Sequence, residues 1–358
     1  MFNTGVSTYL CLFFACCFCC SRAMPTKRNN EAVNDRSVIG ILTQVVTDEI
    51  MKPFGRTYIP SSYVKYIESG GSRVMPIRLT LTTSEYENIF MKINGLIFIG
   101  GNADLETSDF ARVAKIFYRL ALAANDAGDY FPIWGTCMGM QLLTVLVAGE
   151  NLLTKTPAEN LALPLNLTTE VQSSRMFNTF PDELINALTQ EPLTGNFHNY
   201  GITIKDFQEN EMLQSFFTIL STNIAKNGAH FVSTFEGKRY PFYGVQWHPE
   251  VNRFQWYRKL NFPHSRHAVQ LSSLLAEFFV NEDSRVVPSK CSLLPCLHSR
   301  CSLLLKPSTL LLRETIAAAV RTLNNGRHTL HDQNLNWVTN VESQAMIPRR
   351  WELQDSLK

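Results

Sequence analysis

Hydrophobic and polar positions along the first half of this chain switch between two periods. Residues 38–44 form a short apolar run that predicts a strand, and residues 61–69 carry helical spacing that ends at Gly70-Gly71. A second strand is predicted over 73–77, a helix over 84–91 and a third strand over 93–99. Residues 109–124 predict a long helix with Val113, Ile116, Phe117 and Leu120 on its apolar stripe, closed by a turn at Gly128. Another short apolar run, 131–134, stops at Gly135, and a further one over 142–147 stops at Gly149. In the second half, 181–188 reads as a short helix and 216–222, 230–234 and 243–247 as successive strands. Residues 254–256 are expected to be a packed loop, and 267–281 a closing amphipathic helix with Val269, Leu271, Leu274, Leu275 and Phe278 on its apolar side. Strands alternating with helices predict an α/β fold. The expected form is a three-layer α/β/α sandwich with a mostly parallel central sheet, whose ligands bind beyond the carboxyl ends of the strands.

Chemistry concentrates at one corner of that pattern. The stretch F-P-I-W-G-T-C-M-G-M-Q, residues 131–141, reads as strand, sharp turn and helix, with Cys137 at the apex. A nucleophile raised on a strained corner brings the backbone on either side close to neighbouring elements, so glycines two before and two after, Gly135 and Gly139, suit it. The start of a helix favours a thiolate, and the amide of Met138 is free to face an oxyanion. Taken alone, the stretch also fits a buried structural cysteine between turn glycines. Two other stretches fit the same mechanism. G-V-Q-W-H-P-E, residues 244–250, ends a strand in His248, and Pro249 restricts the backbone so that Glu250 is held at a set distance from the imidazole. I-N-G-L-I-F-I-G-G, residues 93–101, ends at paired glycines, which suits a second amide donor at Gly101.

The motif G-T-C-M-G-M-Q with the distal Q-W-H-P-E resembles the class I glutamine amidotransferase superfamily, whose members use a Cys, His, Glu triad. More narrowly, residues 54–71, 129–137, 196–200 and 240–250 resemble the gamma-glutamyl hydrolase family, and the likeness spans roughly residues 36–283. That resemblance implies a class I glutamine amidotransferase-like fold and hydrolysis of gamma-glutamyl bonds in folate polyglutamates through a thioester. It implies a triad of Cys137, His248 and Glu250, an oxyanion hole of Gly101 and Met138, and His198 and Gln141 near the substrate. Gln141 fits the glutaminase pattern equally well. The expected partner is a folate polyglutamate, with homodimerisation left open. The competing readings are a glutaminase that delivers ammonia to a synthase, and a catalytically silent binding module of the same fold.

The chain ends bear on compartment. Residues 1–23 hold an apolar stretch followed by Ser21-Arg22-Ala23, the small-residue pattern of a secretory signal peptide cut after Ala23; an uncleaved anchor or a palmitoylated end is the alternative. Residues 24–36 read as a polar linker, 37–283 as the hydrolase domain, and 284–358 as a weakly structured or alternative C-terminal extension. Of nine cysteines, five lie in the leader and three in the tail, so the body cannot use a disulfide framework and Cys137 invites a functional reading. A secreted or lysosomal protein is expected, with Asn166 of the sequon Asn166-Leu167-Thr168 glycosylated. Net charge is only +2, with no basic run in the body, so no nucleic-acid partner is inferred, nor a membrane after signal cleavage. No metal-binding spacing is present, and neither metal nor cofactor is expected.

Overall fold

The computed structural model describes residues 37–283. The expected leader, linker and C-terminal extension, with their cysteines, lie outside the described residues.

Eight strands make one sheet. In chain order they are β1 (Val38–Leu42), β2 (Arg73–Ile77), β3 (Gly95–Phe98), β4 (Ile133–Thr136), β5 (Asn166–Leu167), β6 (Phe217–Ile224), β7 (His230–Gly237) and β8 (Phe242–Val245). Their order across the sheet is β2-β1-β3-β4-β8-β7-β6-β5. The half from β2 to β8 is parallel, and β7, β6 and β5 add on antiparallel. The antiparallel half follows from loop length. Only five residues, closed by Gly228 in the left-handed region (φ 82°), join β6 to β7, too few for a crossover.

The helices are α1 (Ser61–Glu68), α2 (Thr83–Phe90), α3 (Asp109–Asp126), α4 (Met138–Ala148), α5 (Asp182–Gln190) and α6 (Arg266–Asp283), with shorter turns between. Their starts are written in the sequence. Thr82 and Glu85 form a reciprocal capping box on α2, and the Ser108 hydroxyl accepts the Ala111 amide on α3. One group, α1 with α6, and another, α2 with α3 and α3 with α4, pack as layers on the sheet. Between them lies a core that includes fully buried Trp134, Trp247, Phe98 and Tyr243. Helix α4 is buried almost all round, Gln141 and Thr144 included, which explains why its other residues are apolar or glycine.

Several expectations shift in detail. The first predicted strand breaks after Leu42, and Gln44 starts a separate two-residue ribbon with Thr57–Tyr58. The strand read over 243–247 starts at Phe242 and ends at Val245, so Trp247 and His248 lie on the loop beyond it. Trp256 is not packed but 76% exposed, one face stacked on His264 with centroids 3.8 Å apart, and Val269 is 39% exposed on the solvent side of α6. Among the described residues no helix is long and apolar enough to cross a membrane, and no cluster of His, Cys, Asp and Glu could hold a metal ion.

The topology fixes where chemistry can occur. Strands β3, β4 and β8 are adjacent and parallel, so their carboxyl ends deliver Gly100-Gly101, Cys137 and His248 to one edge of the sheet.

Candidate active site

The corner at Cys137 is made by close backbone approach. A Cβ on Gly139 would lie 1.9 Å from the Phe98 carbonyl oxygen, and one on Gly135 would lie 2.6 Å from the Gly139 carbonyl. Both positions therefore require glycine, and α4 can begin hard against β3 and β4. Cys137 itself sits at φ 51°, ψ −110°, a sparsely populated conformation for a residue with a side chain. Its amide donates to the Val245 carbonyl at 2.8 Å, which ties the corner to the end of β8. The Met138 amide, at the first position of α4, has no partner within the helix.

His248 reaches the same point from β8, held by donation of its amide to the Gly195 carbonyl at 2.9 Å. Its Nδ1 lies 2.7 Å from Glu250 Oε1. A carboxylate only accepts, so Nδ1 carries the proton and Nε2 is left for the Cys137 thiol, one of the groups that act on the ring. Burial works against a charged ring here. The charges of Glu250 and Cys137 and their hydrogen bonds outweigh it, and the imidazole pKa stands well above its ordinary value. The Phe197 ring packs edge-on against the imidazole at 5.7 Å.

Cys137 is only 5% exposed, yet it lines a cavity of about 550 Å³ together with Gly101, Met138, Gln141, Phe197 and His198. A second depression, of about 680 Å³ around Thr203, Asp206 and His230, includes neither Cys137 nor His248 in its lining. His198 Nδ1 lies 3.0 Å from the Tyr200 carbonyl, an acceptor, so Nδ1 holds the proton and Nε2 keeps a lone pair. That Nε2 is buried without a hydrogen-bond partner. Burial, with a smaller contribution from the charge of His248, outweighs the Tyr200 contact and lowers the His198 pKa to about 4. Gln141 does not offer its amide nitrogen to the cavity. Nε2 donates to the Tyr200 carbonyl at 2.7 Å and to Gln246 Oε1 at 3.2 Å, which fixes the loop carrying His198 against α4. Asn166 is exposed on edge strand β5, on the far side of the sheet order from the corner.

Two residues at the site were not singled out from the sequence. Tyr63, on α1, accepts the Gly100 amide at 2.9 Å and lies 3.5 Å from His248 Nδ1. Gln44 presses its amide against Gly101, where a Cβ would meet Gln44 Nε2 at 2.8 Å. Tyr63 falls inside the 54–71 segment that carried the family resemblance, which was its only signal.

Residues 37–250 match the peptidase C26 family. The chain is 48% identical over 264 residues to the gamma-glutamyl hydrolase of Homo sapiens, a match covering 74% of this chain and 83% of that protein. It is 38% identical over 252 residues to gamma-glutamyl hydrolase B of Dictyostelium discoideum, covering 70% and 73%. A solved glutamine amidotransferase from Thermotoga maritima aligns with a TM-score of 0.39 at 12% identity, over 69% of this chain and 98% of that one.

Proposed function

The chain belongs to the peptidase C26 family, and from that membership we propose that residues 37–283 form a domain that hydrolyses the gamma-glutamyl bonds of folate polyglutamates through Cys137, His248 and Glu250. The observation that carries the reading is the meeting of a strained cysteine, a Glu250-oriented imidazole and a glycine turn at three neighbouring strand ends.

His248, whose imidazole pKa is raised, takes the Cys137 thiol proton as the nucleophile forms. Sulfur attacks the gamma-carbonyl carbon, and the carbonyl electrons move to oxygen. The amides of Met138 and Gly101 stabilise that oxyanion, each donor worth roughly 3 kcal/mol in comparable sites. On collapse the C–N bond breaks, His248 protonates the leaving amine, and a thioester remains. Neutral His248 then takes a proton from water, the hydroxide oxygen bonds to the carbonyl carbon, and sulfur leaves to restore the pair. His198 contributes an acceptor: its free Nε2, neutral at any pH above about 4, suits an N–H of the polyglutamate chain. Gln141 supports that wall of the cavity rather than offering its nitrogen to substrate.

The exposed Asn166 is the proposed glycan attachment site of a chain that follows the secretory route to lysosome or medium. Peptide mapping after glycosidase treatment of protein from a secreting host reads this directly; an unmodified Asn166 there refutes it. For the activity, purified protein is incubated with folate pentaglutamate and the products resolved by mass spectrometry. Loss of glutamyl units by the parent chain and by neither Cys137→Ala nor His248→Ala, both still folded, is the expected result. Residual turnover within about tenfold of the parent in either variant contradicts the assigned roles.

A further inference from the structure

We propose that the strip of rings running from Phe197 through Phe262 and His264 to Trp256 is the landing surface for the aromatic end of the substrate, with the outer face of the Trp256 indole as its stacking partner. The inference rests on the hydrolase reading above, and its test includes an arm that does not.

The strip begins at the reacting groups. Phe197 lines the cavity beside Cys137 and packs edge-on against His248, with centroids 5.7 Å apart. Phe262 meets Phe197 at 5.2 Å, His264 meets Phe262 at 6.5 Å, and Trp256 stacks on His264 at 3.8 Å with 6° between the planes. Phe197, Phe262 and His264 are half-buried, so each shows part of its ring to solvent, and Trp256 is exposed. Gly195 lets the rings lie close. A methyl group there would stand 3.1 Å from Phe197 Cε2 and 3.3 Å from Pro263 Cδ, and the carbonyl of this same residue holds the His248 amide.

The outermost ring is held still although it faces water. His264 Nδ1 lies 3.0 Å from the Asn252 carbonyl, an acceptor, so Nδ1 carries a proton and the imidazole is pinned. Asn252 is fully buried, and its side chain donates to the Leu193 and Ala268 carbonyls at 3.0 and 3.1 Å. Leaving an indole in water is unfavourable. An indole whose inner face is already stacked, however, offers its outer face to a second flat ring at little further cost in conformational freedom.

The cavity itself has little to hold an anionic chain. Among the described residues its lining contains no Lys or Arg, its acid is Asp104, and its His198 is neutral above about 4. Each glutamyl unit brings a carboxylate that finds no ion pair there. Recognition therefore falls to the uncharged end of the substrate. A pteridine joined to a benzoyl group is a series of flat rings, and a series of rings leading out from His248 is the surface that matches it.

Trp256→Ala removes the exposed ring, and Trp256→Phe keeps a flat one. In the full-length protein the readout is kcat/KM for folate pentaglutamate divided by kcat/KM for penta-gamma-glutamate, which has the same bonds and no rings. That ratio is expected to fall by about tenfold in Trp256→Ala, through KM for the folate compound, and to recover most of the loss in Trp256→Phe. Isothermal titration with folate itself, whose single glutamate offers no gamma-glutamyl bond to cut, supplies the arm without turnover. Its Kd should rise by about tenfold in Trp256→Ala. A ratio unchanged within about twofold overturns the proposal, and so does an equal loss for both oligomers. Light scattering tests the other occupant: a mass that falls in Trp256→Ala while ratio and Kd stay put gives the indole to a second copy of this chain and likewise overturns it. If the parent cleaves neither oligomer, the hydrolase reading falls, while the titration still decides whether the rings of folate sit on Trp256.

Discussion

Replacing Gly139 by alanine adds one methyl group at the closest backbone approach found at any glycine among the described residues. Its carbon would stand 1.9 Å from the Phe98 carbonyl oxygen and 2.5 Å from the carbonyl carbon, where ordinary contact begins near 3.4 Å. About 1.5 Å must therefore be found between two pieces of backbone, neither of which can rotate away as a side chain would. β3 is clamped between β1 and β4, so the start of α4 is the part that moves. Overpacking usually costs about 1–3 kcal/mol, and a backbone-to-backbone clash belongs at the upper end, about 3 kcal/mol. For a domain of this size that lowers the melting temperature by roughly 6–12 °C. The same displacement carries Cys137 and the Met138 amide away from Gly101, which stays with β3. A misplacement of about 1 Å at reacting groups costs on the order of a hundredfold in rate. Thermal melts and steady-state hydrolysis on one preparation measure both quantities, with the loss expected mainly in kcat. A Gly139→Ala protein that melts within about 2 °C of the parent and turns over within about twofold would refute the view that this contact fixes the corner.

Two further outcomes follow from the titrating groups. His198 is held neutral in the fold, with a pKa of about 4 against about 6.5 unfolded, so between those values the unfolded chain binds the extra proton and stability falls as pH drops. The loss amounts to about 3 kcal/mol between pH 7 and 4, and it should be absent from the pH dependence of His198→Asn; denaturation curves for the two proteins that run parallel across this range would count against the buried neutral ring. Glu250→Gln removes the charge that favours the imidazolium, so kcat should drop by about 10³-fold or more. The alkaline limb of its pH profile should move to lower pH, and a shift to higher pH would contradict the charge assignment.

The corner was legible in the sequence because its constraints are local. Gly135, Cys137 and Gly139 lie within five residues, and Gly135 answers to a clash with Gly139 inside that same turn, while Gly139 answers to the Phe98 carbonyl on β3. His248 and Glu250 were legible for the same reason, two residues apart across a proline. Tyr63 was not: its partners Gly100 and His248 are 37 and 185 residues away, and its own surroundings on α1 read as an ordinary buried helical tyrosine. Gln44 was absorbed into the end of a predicted strand, whereas the sheet pairing stops at Leu42 and frees Gln44 to turn toward Gly101. Trp256 shows the opposite error. An aromatic residue beside Phe254 suggested packing, but a single stacked imidazole holds it in place, and periodicity cannot register a contact made by one flat ring.

The unusual backbone angles of Cys137 set robustness and reactivity against each other at one position. Holding a side-chain-bearing residue there costs on the order of 1–3 kcal/mol, which glycine would largely avoid. A version of this fold with glycine at this position is thus easier to make than one with the cysteine. How much of such a protein accumulates in a cell is no guide to whether it can cut anything, since silent copies enjoy the thermodynamic advantage.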